Sequence, residues 1–342
     1  MTFAIDINTV WFFLLGLLLT GYAVLDGFDL GVGALHLTAK TDEDRRKVIN
    51  SIGPLWDGNE VWLVTGGGAL FAAFPEAYAT AFSGLYLALF LLLMGLICRA
   101  MALEFRGKQP MKWWRSLWDT VFSIASIIST VLMGVALGNI ALGLPLNAKH
   151  DFTGTFFSLL HPYALLVGIT VLILFTVHGA LFLLVKNEGE LYARLRALTP
   201  KLILASHVLL VVTTTATFIV VPHVLDNLKA FPVLFAIPLI AFLAAAYLFV
   251  AHKKMQDFKA FLSSAATIAL LFLTLGLGLY PNLIISSPVA ANGLTIYSAA
   301  SSEKTLYIML LIALIGMPLV IGYTTFVYRT FRGKVKLDQH SY

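Results

Sequence analysis

Charge is scarce in this sequence. Lysine, arginine, aspartate and glutamate make up 12% of the 342 residues, while 59% are hydrophobic and the mean hydropathy is +0.87. A soluble domain of this length carries roughly twice that charged share, so a water-facing globule is excluded. In its place stand repeated apolar runs of about 20 residues, the length that crosses a bilayer. Cysteine is as rare: Cys98 stands alone, which excludes an internal disulfide and a thiolate metal cluster. Its expected place is that of a small buried apolar residue. The opening "MTFAIDINTV" lacks the basic segment of a cleaved signal peptide and leads into the first span, so an uncleaved signal-anchor is expected. Cys-x-x-Cys-His, nucleotide-binding loops, nucleophile motifs and short repeats are missing as well.

Basic residues are missing from one side. Nine spans are expected at approximately 9–37, 52–74, 76–104, 117–143, 156–185, 201–225, 231–251, 258–280 and 305–328. All 23 lysines and arginines except Lys149, Lys229 and Lys304 then fall on alternate connections and the C-terminal tail, counting Arg99 with the loop it adjoins. The positive-inside rule puts the N-terminus outside and the C-terminus in the cytoplasm. This asymmetry accounts for the net charge of +5 without a nucleic-acid partner; the partner of the surface is the lipid bilayer. The expected fold is an all-α polytopic membrane protein, one integral membrane domain over residues 1–342. "KWWR", Lys112 to Arg115, has the composition of an interfacial anchor. The longest outer connection, Asn282 to Lys304, is nearly uncharged and fits a loop, a surface helix or a partner contact.

Against this background the few polar residues inside the spans stand out. In "GYAVLDGFDLGVGALH", Tyr22, Asp26, Asp29, Gly33 and His36 follow helical spacing and share one stripe. Gly27 and Gly31 form a GxxxG pair on an adjacent face, where another helix could approach closely. Each intramembrane carboxylate costs roughly 2.5–3.5 kcal/mol on insertion scales, so that stripe must face protein or water. "GPLWDGNEVWL", Gly53 to Leu63, adds Asp57 and Glu60, one turn apart, with Trp56 beside them. With a rise of 1.5 Å per residue, Asp29 lies about 16 Å before Lys40, and Asp57 and Glu60 about 9 and 14 Å in from Ser51. Arg99 lies about 10 Å before Arg106, and Asp119 about 6 Å past Arg115. Asp26, Asp29, Asp57, Glu60, Arg99 and Asp119 therefore belong to the inner half of the membrane. Such a group suits a proton path open to the cytoplasm, with arginine holding one acid ionised. It equally suits a buried ion-pair network that locks the first four helices together. Gly66, Gly67 and Gly68 are expected to serve close packing.

His178 and His207 lie at matched depth on neighbouring spans, a position from which two imidazoles could clamp a haem iron. One such pair is unspecific, and polar packing is the expected role. His161 and His223 adjoin prolines at outer interfaces, and His150, His252 and His340 fall in loops or the tail.

"GFDLGVG" (Gly27 to Gly33) and above all "GPLWDGNEVWLVTGGGALFAAFP" (Gly53 to Pro75) resemble subunit II of the cytochrome bd quinol oxidases. Arg99, "LWD" at Leu117 to Asp119, "GNI" in the fourth span and "ANGLTIYSAASS" (Ala291 to Ser302) carry the resemblance across the chain. It implies a subunit of a complex in the bacterial cytoplasmic membrane that oxidises ubiquinol or menaquinol and reduces dioxygen to water, with protons drawn from inside. It also implies two four-helix bundles plus a peripheral helix. Two b-type haems and one d-type haem would belong to the partner, subunit I, and none to this chain. A structural quinone in this subunit and a small single-helix accessory subunit occur in some members. By the same resemblance Asp57, with Trp56, matches a position on the proton route, and Asp26, Asp29, Arg99 and Asp119 match other polar positions. A proton-coupled secondary transporter is the alternative, with the acids of the first two spans as its coupling site.

Overall fold

The computed structural model describes residues 6–337, so the start of "MTFAIDINTV" and His340 lie outside the described residues. The protein is a helical polytopic membrane protein. Eight of its helical stretches are long and apolar enough to cross a bilayer. In order, the helices are α1 (Ile7–Leu35), α2 (Asp42–Ile52), α3 (Trp56–Ala73), α4 (Pro75–Gly84), α5 (Tyr86–Phe105) and α6 (Lys112–Leu142). They continue with α7 (Pro162–Lys186), α8 (Gly189–Val220), α9 (Asp226–Ala230), α10 (Ala236–Lys253), α11 (Asp257–Leu279) and α12 (Glu303–Thr330).

α1 is the axis of the molecule, packing against α3, α6, α7 and α11. Its closest neighbour is α7, and the Gly27–Gly31 pair is the reason. A Cβ on Gly31 would lie 1.8 Å from the Phe175 carbonyl oxygen, and one on the facing Gly179 would lie 2.4 Å from the Val32 nitrogen. Only hydrogen side chains let two backbones approach so closely, which is how helices associate where lipid supplies no hydrophobic drive.

Several expected boundaries move, each for a local reason. The second span starts at Trp56, not at 52, because Gly53 and Pro54 interrupt the helix that α2 had begun. Its polar first turns keep it out of the group of eight apolar helices. The third is broken at Leu85 into α4 and α5. Gly84 sits at that break, pressed by the connection between α6 and α7: a Cβ there would meet Phe152 at 2.8 Å. The loop expected before residue 201 is helical instead. α8 begins at Gly189, and its buried Leu191, Leu195, Thr199 and Ile203 form a stripe of period four against the core, with Pro200 accommodated inside the helix.

The connection from Asn282 to Lys304 is neither a free loop nor a surface helix. Asn282–Ile284 pairs antiparallel with Leu294–Thr295, and Leu294 and Ile296 are fully buried beneath Trp11, Phe12 and Tyr280. Ser301 ties this cap to the end of α3 through the carbonyls of Ala72 (2.7 Å) and Ala73 (2.8 Å). At the opposite end Phe28, Val32, Ile49, Leu103, Leu181 and Leu184 build a second apolar core. α12 lies on the outside, with Leu306 as its only buried residue among those described.

Candidate functional site

The acid group assembles where α1, α3 and α5 meet. Arg99, on α5, is buried and grips Asp26 of α1 with both terminal nitrogens, Nη1 to Oδ2 at 2.9 Å and Nη2 to Oδ1 at 2.6 Å. The same Nη2 donates to Glu60 Oε1 of α3 at 2.6 Å. A planar guanidinium has enough forked donors for both acids, which an ammonium could not match in this geometry. Tyr22, one turn before Asp26, is also buried and brings its hydroxyl towards the pair.

Asp29 is fully buried and takes no part in the arginine fork. Its Oδ2 accepts from Asn59 Nδ2 at 2.7 Å, and Asn59 also donates to the Leu25 carbonyl at 3.2 Å. Asn59 Oδ1 accepts from the Tyr328 hydroxyl at 3.0 Å. The local cause is the spacing of the WDGNEVW block. Asn59 and Glu60 are consecutive, so α3 turns one towards Asp29 and the other towards Arg99.

Asp57 differs from all of these. It sits in the first turn of α3, where the free N–H groups of the helix favour negative charge, but it is exposed. Glu60 is one turn further along the same edge, with its side chain 24% exposed. Trp56 is buried below. Around Asp57 the outward face of α3 is smooth. Cβ atoms on Gly58, Gly67 and Gly68 would meet nothing within 4 Å, while Val61 and Val64 are bare. Gly66 alone of the triplet packs inside the chain, against Leu18 and Leu19. The close packing expected of Gly67 and Gly68 is therefore absent within this chain.

Asp119 stands apart from the acid group. It is buried near the N-terminal end of α6 and accepts from Arg106 Nε at 2.5 Å and Arg45 Nη1 at 2.8 Å, and His36 Nε2 lies 2.6 Å away. Arg106 also binds Asp42, and Arg115 binds Asp42 at 3.0 Å. His36, in the short turn that follows α1, is ten residues beyond Asp26, about 15 Å along the axis. The expected single cluster is thus two: an acid-rich one around Arg99, and an arginine-rich knot that joins α1, α2, α5 and α6. Arg45 and Arg106 read in the sequence only as loop charges, and no spacing rule pairs them with Asp119. Tyr328 gave no signal either, because an aromatic residue in the last turns of a span reads as an interfacial anchor.

His178 does not present a haem ligand. Both nitrogens of His178 are occupied, Nδ1 by the Ser264 hydroxyl at 2.6 Å and Nε2 by the Val24 carbonyl at 3.0 Å, and Phe261 stacks on the ring. His207 Nδ1 is held by the Ile203 carbonyl of its own helix at 2.6 Å. A ligand to iron needs a free nitrogen lone pair, and His178 has none to offer. His161 caps α7, accepting from the Tyr163 N–H at 3.1 Å.

Comparison with known proteins gives the family. The family model described as "Cytochrome bd terminal oxidase subunit II" matches residues 7–331. The chain is 35% identical to cytochrome bd-I ubiquinol oxidase subunit 2 of Escherichia coli K12 over 357 residues, covering 95% of this chain and 94% of that one. It is 33% identical to cytochrome bd ubiquinol oxidase subunit 2 of Bacillus subtilis 168, covering 96% of this chain and 97% of that one. Among solved structures, a chain of the bd oxidase from Geobacillus thermodenitrificans superposes with a TM-score of 0.78 over 95% of this chain and 98% of that one. At 18% identity this is a likeness of fold.

Proposed function

The chain belongs to the cytochrome bd terminal oxidase subunit II family, and from that premise we propose that its acids carry protons to an oxygen-reducing partner. It is a multi-pass protein of the bacterial cytoplasmic membrane and a component of a quinol-oxidising terminal oxidase. The transporter alternative is not favoured by this membership.

One observation carries the proposal. Asp57 is open to the outside of this chain, and behind it Glu60, Arg99 and Asp26 form a continuous hydrogen-bonded line into the core. A carboxylate turned to lipid costs roughly 2.5–3.5 kcal/mol, so in the working complex this edge of α3 is covered by protein or water. The smooth strip around Gly58, Gly67 and Gly68 suits a second helical subunit that packs closely there. That partner is subunit I. It carries two b-type haems and one d-type haem, which supply the reduction of dioxygen when bound.

The residues of this chain do something simpler. Asp57 and Glu60 take protons from the cytoplasmic side and hold them against the partner. Arg99 holds Asp26 in place through its two-pronged contact. The knot around Asp119 fixes the inner ends of α1, α5 and α6. Counting α3 as the second crossing gives nine, in one membrane domain, with the N-terminus outside, the C-terminus inside and α12 at the periphery. A structural quinone or a single-helix accessory subunit would be an addition to this arrangement. The test is co-purification. The chain is expected to bring down a membrane partner of similar size with the absorption bands of b- and d-type haem, and a colourless chain isolated alone would overturn the assignment.

A further inference from the structure

The acid group receives one contact from the far end of the sequence. Tyr328 lies near the end of α12, a helix most of whose residues are exposed, and its side chain reaches Asn59. The direction of the bond is forced: an amide oxygen only accepts, so the phenol donates. Asn59 is buried, and its amide is left with its N–H side towards the Asp29 carboxylate and the Leu25 carbonyl. The reverse orientation would set three oxygens against one another at those same distances. It becomes tolerable only if Asp29 holds a proton and donates it to the turned amide oxygen. The other carboxylate oxygen, Asp29 Oδ1, has no hydrogen-bond partner among the described residues. The charged and titratable groups facing Asp29 are Asp26 on its own helix, Glu60 on α3, Arg99 on α5 and Tyr328 on α12.

We propose that Tyr328 is a positioning residue of the acid group, holding Asn59 turned as a donor towards Asp29 and so setting when that acid takes up a proton. This deepens the proton-carrying reading above and rests on it. Removal of the phenol oxygen frees the amide to turn. The turned amide accepts from a protonated Asp29, which favours the neutral acid. α12, at the rim of the molecule, thereby reaches the acids at its centre through two side chains.

Infrared titration of the assembled complex tests this. The carboxylic C=O stretch of Asp29 is identified as the band lost in Asp29→Asn. In Tyr328→Phe its half-protonation point is expected to move up by about half to one pH unit, the effect of one buried hydrogen bond. An unmoved band overturns the proposal. Asn59→Ala removes the same donor from the other side and is expected to move the band in the same direction; an unmoved band there overturns it too. Turnover separates the two ideas. A moved band with wild-type oxygen consumption in both Tyr328→Phe and Asp29→Asn keeps the positioning contact and sinks the proton path through Asp29.

Discussion

Arg99 and Asp26 form a two-pronged ion pair, at 2.9 and 2.6 Å, in which neither side chain is more than 1% exposed. A buried pair of this kind is weak evidence for net stability, because desolvation offsets most of the attraction. Its asymmetry is what matters: breaking it strands a charge. Arg99→Ala leaves Asp26 and Glu60 without their cation and is expected to cost about 3–5 kcal/mol. The thermal midpoint of the purified complex and its yield from membranes measure this. An unchanged midpoint and yield would show that the acids find another partner, or none is needed.

The approach of α1 and α7 is tested at Gly31. A Cβ there would stand 1.8 Å from the Phe175 carbonyl oxygen, so Gly31→Ala must push the helices apart. Overpacking of this sort costs about 1–3 kcal/mol. Gly276→Ala meets nothing within 4 Å and serves as the control, with no loss expected. Equal thermal midpoints for the two variants would mean that the helices do not depend on this contact.

The face around Gly68 is tested by bulk. Nothing in this chain lies within 4 Å of a Cβ at Gly68, so Gly68→Leu should leave the chain folded and inserted. If subunit I covers the strip, the leucine blocks docking. The expected result is a normal amount of the chain in membranes by immunoblot, with the co-purified partner reduced several-fold. Full recovery of the partner would place the interface elsewhere.

The knot at Asp119 is tested by neutralisation. Asp119→Asn removes the negative charge shared by Arg45, Arg106 and His36 and turns one of its two accepting oxygens into a donor, so two arginines stay close together with less to bind. Loss of thermal stability by about 3–5 kcal/mol is expected, as for a broken buried pair. The role is structural, so turnover per assembled complex should stay near the wild-type value. A selective loss of turnover at full stability would return Asp119 to the proton path.

Much of this architecture can be read from residue order, and the physical reason is the bilayer. Lipid forces every span to be apolar and helical, so the scarcity of charge and the one-sided lysines and arginines mark the helices directly. The same constraint makes Asp26, Asp29, Asp57, Glu60 and Arg99 conspicuous. Partnership is a different matter. Which acid meets Arg99, and that Asp119 joins His36 and not Asp26, depends on how α1, α5 and α6 are set against one another, and periodicity on one helix carries no information about the rotation of another. Breaks are also poorly marked. Gly84 is one glycine among several, and only its contact with Phe152 shows why the chain bends there. Helix α8 starts early because leucines of period four continue into a charged stretch that hydropathy alone reads as loop. Tyr328 could not have been found at all, since 269 residues separate it from Asn59.

The account stands or falls on Asp57, the acid at the open edge of α3. The decisive measurement is quinol-driven oxygen consumption by the assembled Asp57→Asn complex, normalised to haem content. Loss of the titrating group with shape preserved should lower turnover by at least about tenfold, as expected for a group that transfers protons, with haem content and thermal midpoint unchanged. Wild-type turnover in that complex would contradict the account and leave Asp57 as a packing residue.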